Sequence, residues 1–250
     1  MEINLKENER IDDLEYKGLK LIQNKNWFCF GIDSVLLSDF AKNMKNDSKV
    51  LDLGTGTGII GILLCKKTNL KEIKGIEIQS DVAEMASRSI KLNNLEEKFQ
   101  IINDNIKNIG NYFDKGTFDV VVTNPPYKKI NSGIINENDN KIISRHEITA
   151  NLEDFIQQSA CMLKDNGSLY MVHKPERLCD IICIMRKYKL EPKELKFVYS
   201  NTLAEPSLIL IKGCKNGHAF LKVHKPLYVY NEDGTYTDEI LKIYGKTEID

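Results

Sequence analysis

Lys49-Val50-Leu51-Asp52-Leu53 is a short buried-strand pattern that runs straight into Gly54-Thr55-Gly56-Thr57-Gly58 and then Ile59-Ile60-Gly61-Ile62-Leu63-Leu64. A strand, a glycine turn and a helix in that order make a βα unit, because the glycines let the backbone turn tightly and come close to a ligand while the helix packs back on the sheet. The alternation continues. Strand patterns near 49–53, 73–77, 99–103 and 118–123 alternate with helical patterns near 58–67 and 80–93, as a helix-covered parallel sheet requires. A helix over 151–164, a turn at Asn166-Gly167, a fifth strand Ser168-Leu169-Tyr170-Met171-Val172, a helix near 175–188 and strands near 194–200 and 206–212 complete the core. Upstream, Leu19–Gln23 and Trp27–Phe30 around Asn24-Lys25-Asn26 read as a hairpin, followed by a helix from Asp33, a residue type that caps helix N-termini. With 250 residues the chain is long enough for one large α/β domain. The expected division is a hairpin extension over 1–32, the core over 33–213, and a C-terminal extension over 214–250 packed on the same domain.

Gly56-Thr57-Gly58-Ile59-Ile60-Gly61 satisfies the literal G-x-G-x-x-G pattern, which is compatible with NAD or FAD. Two details favour S-adenosylmethionine: Asp52 precedes the glycines, where a carboxylate can receive an ammonium group through water, and no pyrophosphate-binding feature is required. Glu77 closes the strand Ile73–Glu77, where a carboxylate accepts both ribose hydroxyls; this supports a nucleoside without choosing between cofactors. Asp104, after the strand-like Phe99–Asn103, is placed either to accept from an adenine amine or to cap a helix.

The tetrapeptide Asn124-Pro125-Pro126-Tyr127 follows the apolar run Phe118–Val122. Two consecutive prolines push Asn124 and Pro125 out of the helical region. The Pro125 carbonyl and the Asn124 side-chain oxygen are then two acceptors for the hydrogens of a planar amine, and Tyr127 offers a ring face to a planar substrate. The glycine turn, Glu77, Asp104 and Asn124–Tyr127 all fall at the carboxyl ends of predicted strands, where open α/β sheets bind ligands.

In order and spacing, Asp52–Gly58, Glu77, Asp104 and Asn124-Pro125-Pro126-Tyr127 resemble a class I S-adenosylmethionine-dependent methyltransferase over roughly residues 30 to 213. Phe30-Gly31-Ile32-Asp33-Ser34-Val35-Leu36-Leu37, Ser144-Arg145-His146-Glu147 and Lys225-Pro226-Leu227-Tyr228-Val229-Tyr230 narrow the likeness. They resemble the bacterial tRNA adenine-N6 methyltransferase family that modifies valine tRNA beside the anticodon. The resemblance implies a Rossmann-like α/β fold: a seven-stranded, mostly parallel sheet with a C-terminal antiparallel hairpin and helices on both faces. It implies S-adenosylmethionine held by Phe30, Asp33, Asp52, Gly54, Thr55, Gly56, Gly58, Glu77, Asp104 and Asn124. Catalysis falls to Asn124, Pro125, Pro126 and Tyr127, and contact with tRNA to Tyr127, Lys128, Arg145 and His146.

Other acceptors stay open at this level. A glutamine amide of a translation factor fits the same tetrapeptide, although such enzymes carry a separate helical N-terminal domain and only about thirty residues precede the core here. Guanine N2 of ribosomal RNA fits too, although phenylalanine or tryptophan often replaces Tyr127 there. A cofactor-binding accessory subunit and a NAD-dependent oxidoreductase are the remaining readings; nothing in the chain resembles the oxidoreductases' catalytic apparatus.

Cysteines at 29, 65, 161, 179, 183 and 214 form no Cys-x-x-Cys pair, and histidines at 146, 173, 218 and 224 lack metal-ligand spacing, so no metal is expected. Cys179 and Cys183 read as core or groove-lining, and His173 as structural. No stretch of about eighteen apolar residues occurs, so no membrane span is expected and the cytoplasm is the expected location. The net charge of −1 conceals an asymmetry, eleven Lys or Arg against five Asp or Glu between Met171 and Lys225. With Lys128, Lys129, Lys141 and Arg145 these read as a basic rim for RNA, or as residues such as Arg186, Lys187, Lys189, Lys193 and Lys196 that merely solvate a helix and strand. Residues 128–147 form the one long loop, a candidate binding loop, and Asp233-Gly234 reads as a turn.

Overall fold

Val50 faces one core while Leu51 and Leu53 face another, and Val120 and Val122 divide from Val121 in the same way, so the apolar runs become strands buried on both sides of a sheet. The computed structural model describes residues 4–27, 31–127 and 150–246. In chain order these form β1 (Glu9–Asp13), β2 (Lys20–Asn24), α1 (Ile32–Phe40), β3 (Lys49–Leu53), α2 (Ile59–Lys67), β4 (Glu72–Glu77), α3 (Ser80–Leu92), β5 (Phe99–Asn103) and β6 (Phe118–Thr123). From residue 150 onward come α4 (Leu152–Met162), β7 (Leu163–His173), α5 (Leu178–Lys187), β8 (Leu190–Tyr199), β9 (Pro206–Lys215), β10 (Lys222–Val223), β11 (Leu227–Tyr228) and α6 (Asp238–Ile243).

The main sheet runs β10-β8-β9-β7-β6-β3-β4-β5, with β11 also on β8. Strands β7, β6, β3, β4 and β5 are mutually parallel, and β8 and β9 form the expected antiparallel hairpin. The sheet therefore has nine strands rather than seven. The additional two span two residues each, too short to leave a periodic trace in the sequence. From β3 the chain winds outward through β4 and β5, then returns to add β6 and β7 on the other side. The β3/β6 boundary is thus the topological switch point, where a crevice opens at the carboxyl ends. Helices α1, α2 and α6 cover one face, and α4 and α5 the other.

Gly58 caps α2 at φ +83°, a left-handed conformation that favours glycine. A Cβ on Gly61 would overlap the Phe99 ring, so the missing side chain is what lets α2 lie against β5.

Several local expectations are corrected. The described hairpin pairs β2 with β1, Ile11 opposite Ile22; of the expected strand Trp27–Phe30, residues 28–30 lie outside the described residues. The β1 sequence Glu-Arg-Ile-Asp-Asp carries almost no apolar signal, and its strand form rests on the ladder and on the Glu9–Arg88 ion pair. Gly31, not Asp33, caps α1, and Asp33 lies in the first turn. Asn166, at φ +63°, sits inside β7 at a register irregularity opposite Phe118–Val120, so it bends a strand instead of reversing the chain. Cys179 and Cys183 are exposed, because α5 buries the other stripe through Ile181 and Met185.

The tail closes over the α1 and α2 side of the sheet. Asp233-Gly234 does turn, with Asn231 N donating to Thr235 O at 2.8 Å and Gly234 at φ +82°. Tyr230, Tyr236 and Tyr244 stack in series at 5.3 and 5.8 Å. Lys67 joins both ends of the chain: its buried ammonium donates to Ile243 O (3.2 Å), lies 3.5 Å from Asp39 Oδ1 and 4.9 Å from the Tyr16 ring centre. Burial lowers its pKa. Among the described residues no helix is long and apolar enough to cross a membrane.

Candidate active site

Asp52 ends in a fully buried carboxylate on β3. Its Oδ2 accepts from Thr55 Oγ1 at 2.6 Å, while Oδ1 has no partner among the described residues. Burial pushes the carboxyl up to about 7, and the negative charge of Glu77 adds to the shift. A buried acceptor without a donor costs free energy unless a ligand supplies one. Glu77, at the end of β4 and 1 % exposed, accepts from Gly56 N through Oε2 (3.1 Å) and from Gln79 N through Oε1 (2.9 Å). It thereby clamps the glycine turn to the neighbouring strand end. Asp104 takes Asn105 N (2.6 Å) and Asn108 Nδ2 (2.8 Å) on one oxygen and the Tyr112 hydroxyl (2.9 Å) on the other. These donors, Asn108 foremost, lower its pKa. The cap of the short helical turn beyond it is Asn105, which accepts from Lys107 N.

Asn124–Tyr127 follow β6 with no helical geometry, as the two prolines dictate. Their anchor is Asp33 on α1, 8 % exposed, whose Oδ2 accepts from Asn124 Nδ2 (3.0 Å) and from the Tyr127 hydroxyl (2.7 Å). Its other oxygen accepts from Ser34 N at 2.8 Å. An ionised carboxylate only accepts, so the amide of Asn124 turns its NH2 toward Asp33 and directs Oδ1 elsewhere, an acceptor with no donor among the described residues. Burial, with the charge of Asp33, pushes the Tyr127 phenol well above its ordinary value, so it remains a neutral donor.

The end of β7 supplies the other wall. His173 lies with its ring centre 5.2 Å from that of Tyr127, at an interplanar angle of 61°. Its Nδ1 accepts from Lys174 N at 2.8 Å, which places the ring proton on Nε2, a buried atom with no partner among the described residues. Burial lowers this imidazole to about 4, and the nearby Arg177 charge works in the same direction, so it is neutral at pH 7. Lys174 Nζ stands 5.5 Å from the centre of the Tyr127 ring.

Asp33, expected beside the cofactor, thus meets the tetrapeptide directly. Asp52, Thr55, Gly56 and Glu77 join through hydrogen bonds, whereas Asp104 is engaged with its own loop. Phe30, Lys128, Arg145 and His146 lie outside the described residues. His173 and Lys174 were not anticipated at the site. The usable signal was register: β6 and β7 run parallel with Thr123 opposite Met171, so the residues beyond each strand are neighbours. Among the described residues no group of three or more His, Cys, Asp or Glu is placed to hold a metal.

A family model described as "Methyltransferase small domain" matches residues 31–188. The chain belongs to this family. Among curated relatives, this methyltransferase small domain protein is 29 % identical over 204 residues to a Porphyromonas gingivalis protein named tRNA1(Val) (adenine(37)-N6)-methyltransferase, covering 80 % of this chain and 79 % of that one. A Flavobacterium johnsoniae protein of the same name is 20 % identical, with 92 % of this chain and 96 % of the relative covered. Among solved structures, a predicted O-methyltransferase from Agrobacterium tumefaciens superposes with a TM-score of 0.70 at 17 % identity, covering 86 % of this chain and 96 % of that one. The M. jannaschii tRNA m1G37 methyltransferase does so with a TM-score of 0.58 at 18 % identity, covering 84 % of this chain and 55 % of its own. Both share the class I methyltransferase fold.

Proposed function

We propose that this methyltransferase moves a methyl group from S-adenosylmethionine to the exocyclic N6 amine of an adenine in tRNA, in the anticodon loop of a valine tRNA, and acts in the cytoplasm. The observation that carries the reading is the Asp33–Asn124 hydrogen bond, which turns the Asn124 side-chain oxygen away from Asp33, where it can accept from an amine. The names of the curated relatives support the tRNA and the adenine.

The residues present fit the cofactor. Asp52 Oδ1, buried and unpartnered among the described residues, suits an ammonium group, and Glu77 suits ribose hydroxyls, whereas Asp104 already takes three donors of its own loop. Bound there, the cofactor's sulfonium supplies an electrophilic methyl group, so no strong base is demanded of the protein. The protein's own task is to orient a lone pair. Asn124 Oδ1 and Pro125 O accept the two amine hydrogens and hold the nitrogen in one plane. As positive charge grows on that nitrogen both acceptors strengthen, which stabilises the transition state more than the ground state. Tyr127, its hydroxyl fixed by Asp33, holds the base by stacking after it leaves the loop stack.

The test is incubation of the purified protein with methyl-labelled S-adenosylmethionine and tRNA lacking its own modification, then nucleoside digestion and mass spectrometry. Label in N6-methyladenosine from valine tRNA is expected. Label in a guanine nucleoside or in a protein glutamine would replace the acceptor, and cofactor binding without any transfer would overturn the enzymatic reading.

A further inference from the structure

Eleven cations lie between Met171 and Lys225, and five of them are already neutralised by carboxylates. Arg177 pairs with Asp180, Arg186 with Glu191, Lys187 with Glu153, Lys196 with Glu239 and Lys212 with Glu194. These side chains solvate the surface of α5, β8 and β9 and hold no uncompensated charge for a partner. Lys174 differs. Among the described residues it has no carboxylate partner; its ammonium donates to Ser207 O at 3.3 Å and lies over the Tyr127 ring. Among the described residues Lys193 and Lys215 also donate to backbone carbonyls, of His218 and Leu163, but neither borders the tetrapeptide.

We propose that Lys174 binds a backbone phosphate of the nucleotide whose base Tyr127 receives. This rests on the proposed reading and adds a residue to it. An ammonium has three N–H donors, and the Ser207 carbonyl takes one, which leaves two for the oxygens of a phosphate. A base lying against the Tyr127 ring brings its own sugar-phosphate within reach of the ammonium that stands over that ring. The position is only partly exposed and an aromatic face covers one side of the cation, so an anion there is less screened by water than one at an open surface lysine. In a chain of net charge −1, a cation spared from internal pairing at the site itself is where phosphate attraction has most effect.

The experiment compares wild type, Lys174→Ala and Lys174→Arg as full-length proteins. It measures methylation of unmodified tRNA and tRNA affinity across a potassium chloride series, with cofactor affinity as a control for folding. For Lys174→Ala the expected results are a rise in KM for tRNA of roughly five- to tenfold at low salt, and a slope of log affinity against log salt shallower by about 0.7 to 0.9, the loss of one phosphate contact. Cofactor affinity should stay within about twofold, and Lys174→Arg should restore most of the slope. A lowered kcat with an unchanged salt slope would overturn the proposal, because Lys174 would then only support the Tyr127 ring. If wild type itself labels no tRNA while binding the cofactor, the function proposed above fails first, and that outcome is read from wild type alone.

Discussion

Asp33→Asn changes one oxygen to an NH2 group with almost no change in volume, which isolates the role of the carboxylate. In the wild type one Asp33 oxygen takes Ser34 N at 2.8 Å and the other takes both Asn124 Nδ2 and the Tyr127 hydroxyl, at 3.0 and 2.7 Å. An asparagine keeps a single acceptor oxygen. If that oxygen stays on Ser34 N, the new NH2 faces Asn124 and the Asn124 amide turns over, presenting donors where the substrate amine needs an acceptor. Loss of one partner for developing charge costs about 2.7–4 kcal/mol, a fall in kcat of roughly 10²- to 10³-fold. The fold should survive, because each lost hydrogen bond to a charged group contributes about 1.5–3 kcal/mol and the new amide recovers part of it. Steady-state methylation with saturating cofactor gives kcat, and calorimetry gives cofactor affinity, expected within about threefold of wild type. Adding Asn124→Asp returns a carboxylate to the site with the donor now on residue 33, and should recover at least about tenfold of the lost rate. A single variant with kcat within about twofold of wild type would refute the view that Asp33 sets the amide's direction.

Asn124→Ala should lower kcat by roughly 10²- to 10³-fold while leaving cofactor affinity within a few-fold; equal loss of both, measured by kinetics and calorimetry, would move Asn124 to the cofactor. Because the Asp52 carboxyl rises from its ordinary 3.8 to about 7 on folding, the folded chain binds the proton more tightly, so stability without cofactor should fall as pH rises through that window and level off above it. An ammonium ligand selects the ionised form, so cofactor affinity should rise between about pH 6 and 8, and a flat calorimetric profile would remove Asp52 from the ammonium contact. Gly61→Ala, whose Cβ would overlap the Phe99 ring, should cost about 1–3 kcal/mol in urea unfolding with little change in m-value.

Wherever burial imposed a pattern, the sequence could be read. Strands β3, β6 and β9 carry near-continuous buried apolar runs, and the glycine turn and double proline have few backbone solutions. β1 escaped because Glu9–Asp13 is polar and owes its strand form to pairing, and β10 and β11 because two residues carry no period. At the site, Asp52, Glu77 and Asn124–Tyr127 were legible as chemistry placed at strand ends. The Asp33 link to Asn124 spans 91 positions, and Lys174 reaches Tyr127 through the β6/β7 register, so neither contact could be found without pairing the strands.

Lys67 also sets an order of events during synthesis. Its ammonium is made early and is buried against Tyr16 and Asp39, but the carbonyl that completes its shell, Ile243 O, lies 176 positions later. At about 5–20 residues per second, that oxygen emerges roughly 9 to 35 s after the lysine it serves. Until then Lys67 faces only one carboxylate and one ring, and the layer formed by α1 and α2 stays open at the place where the last helix seals it.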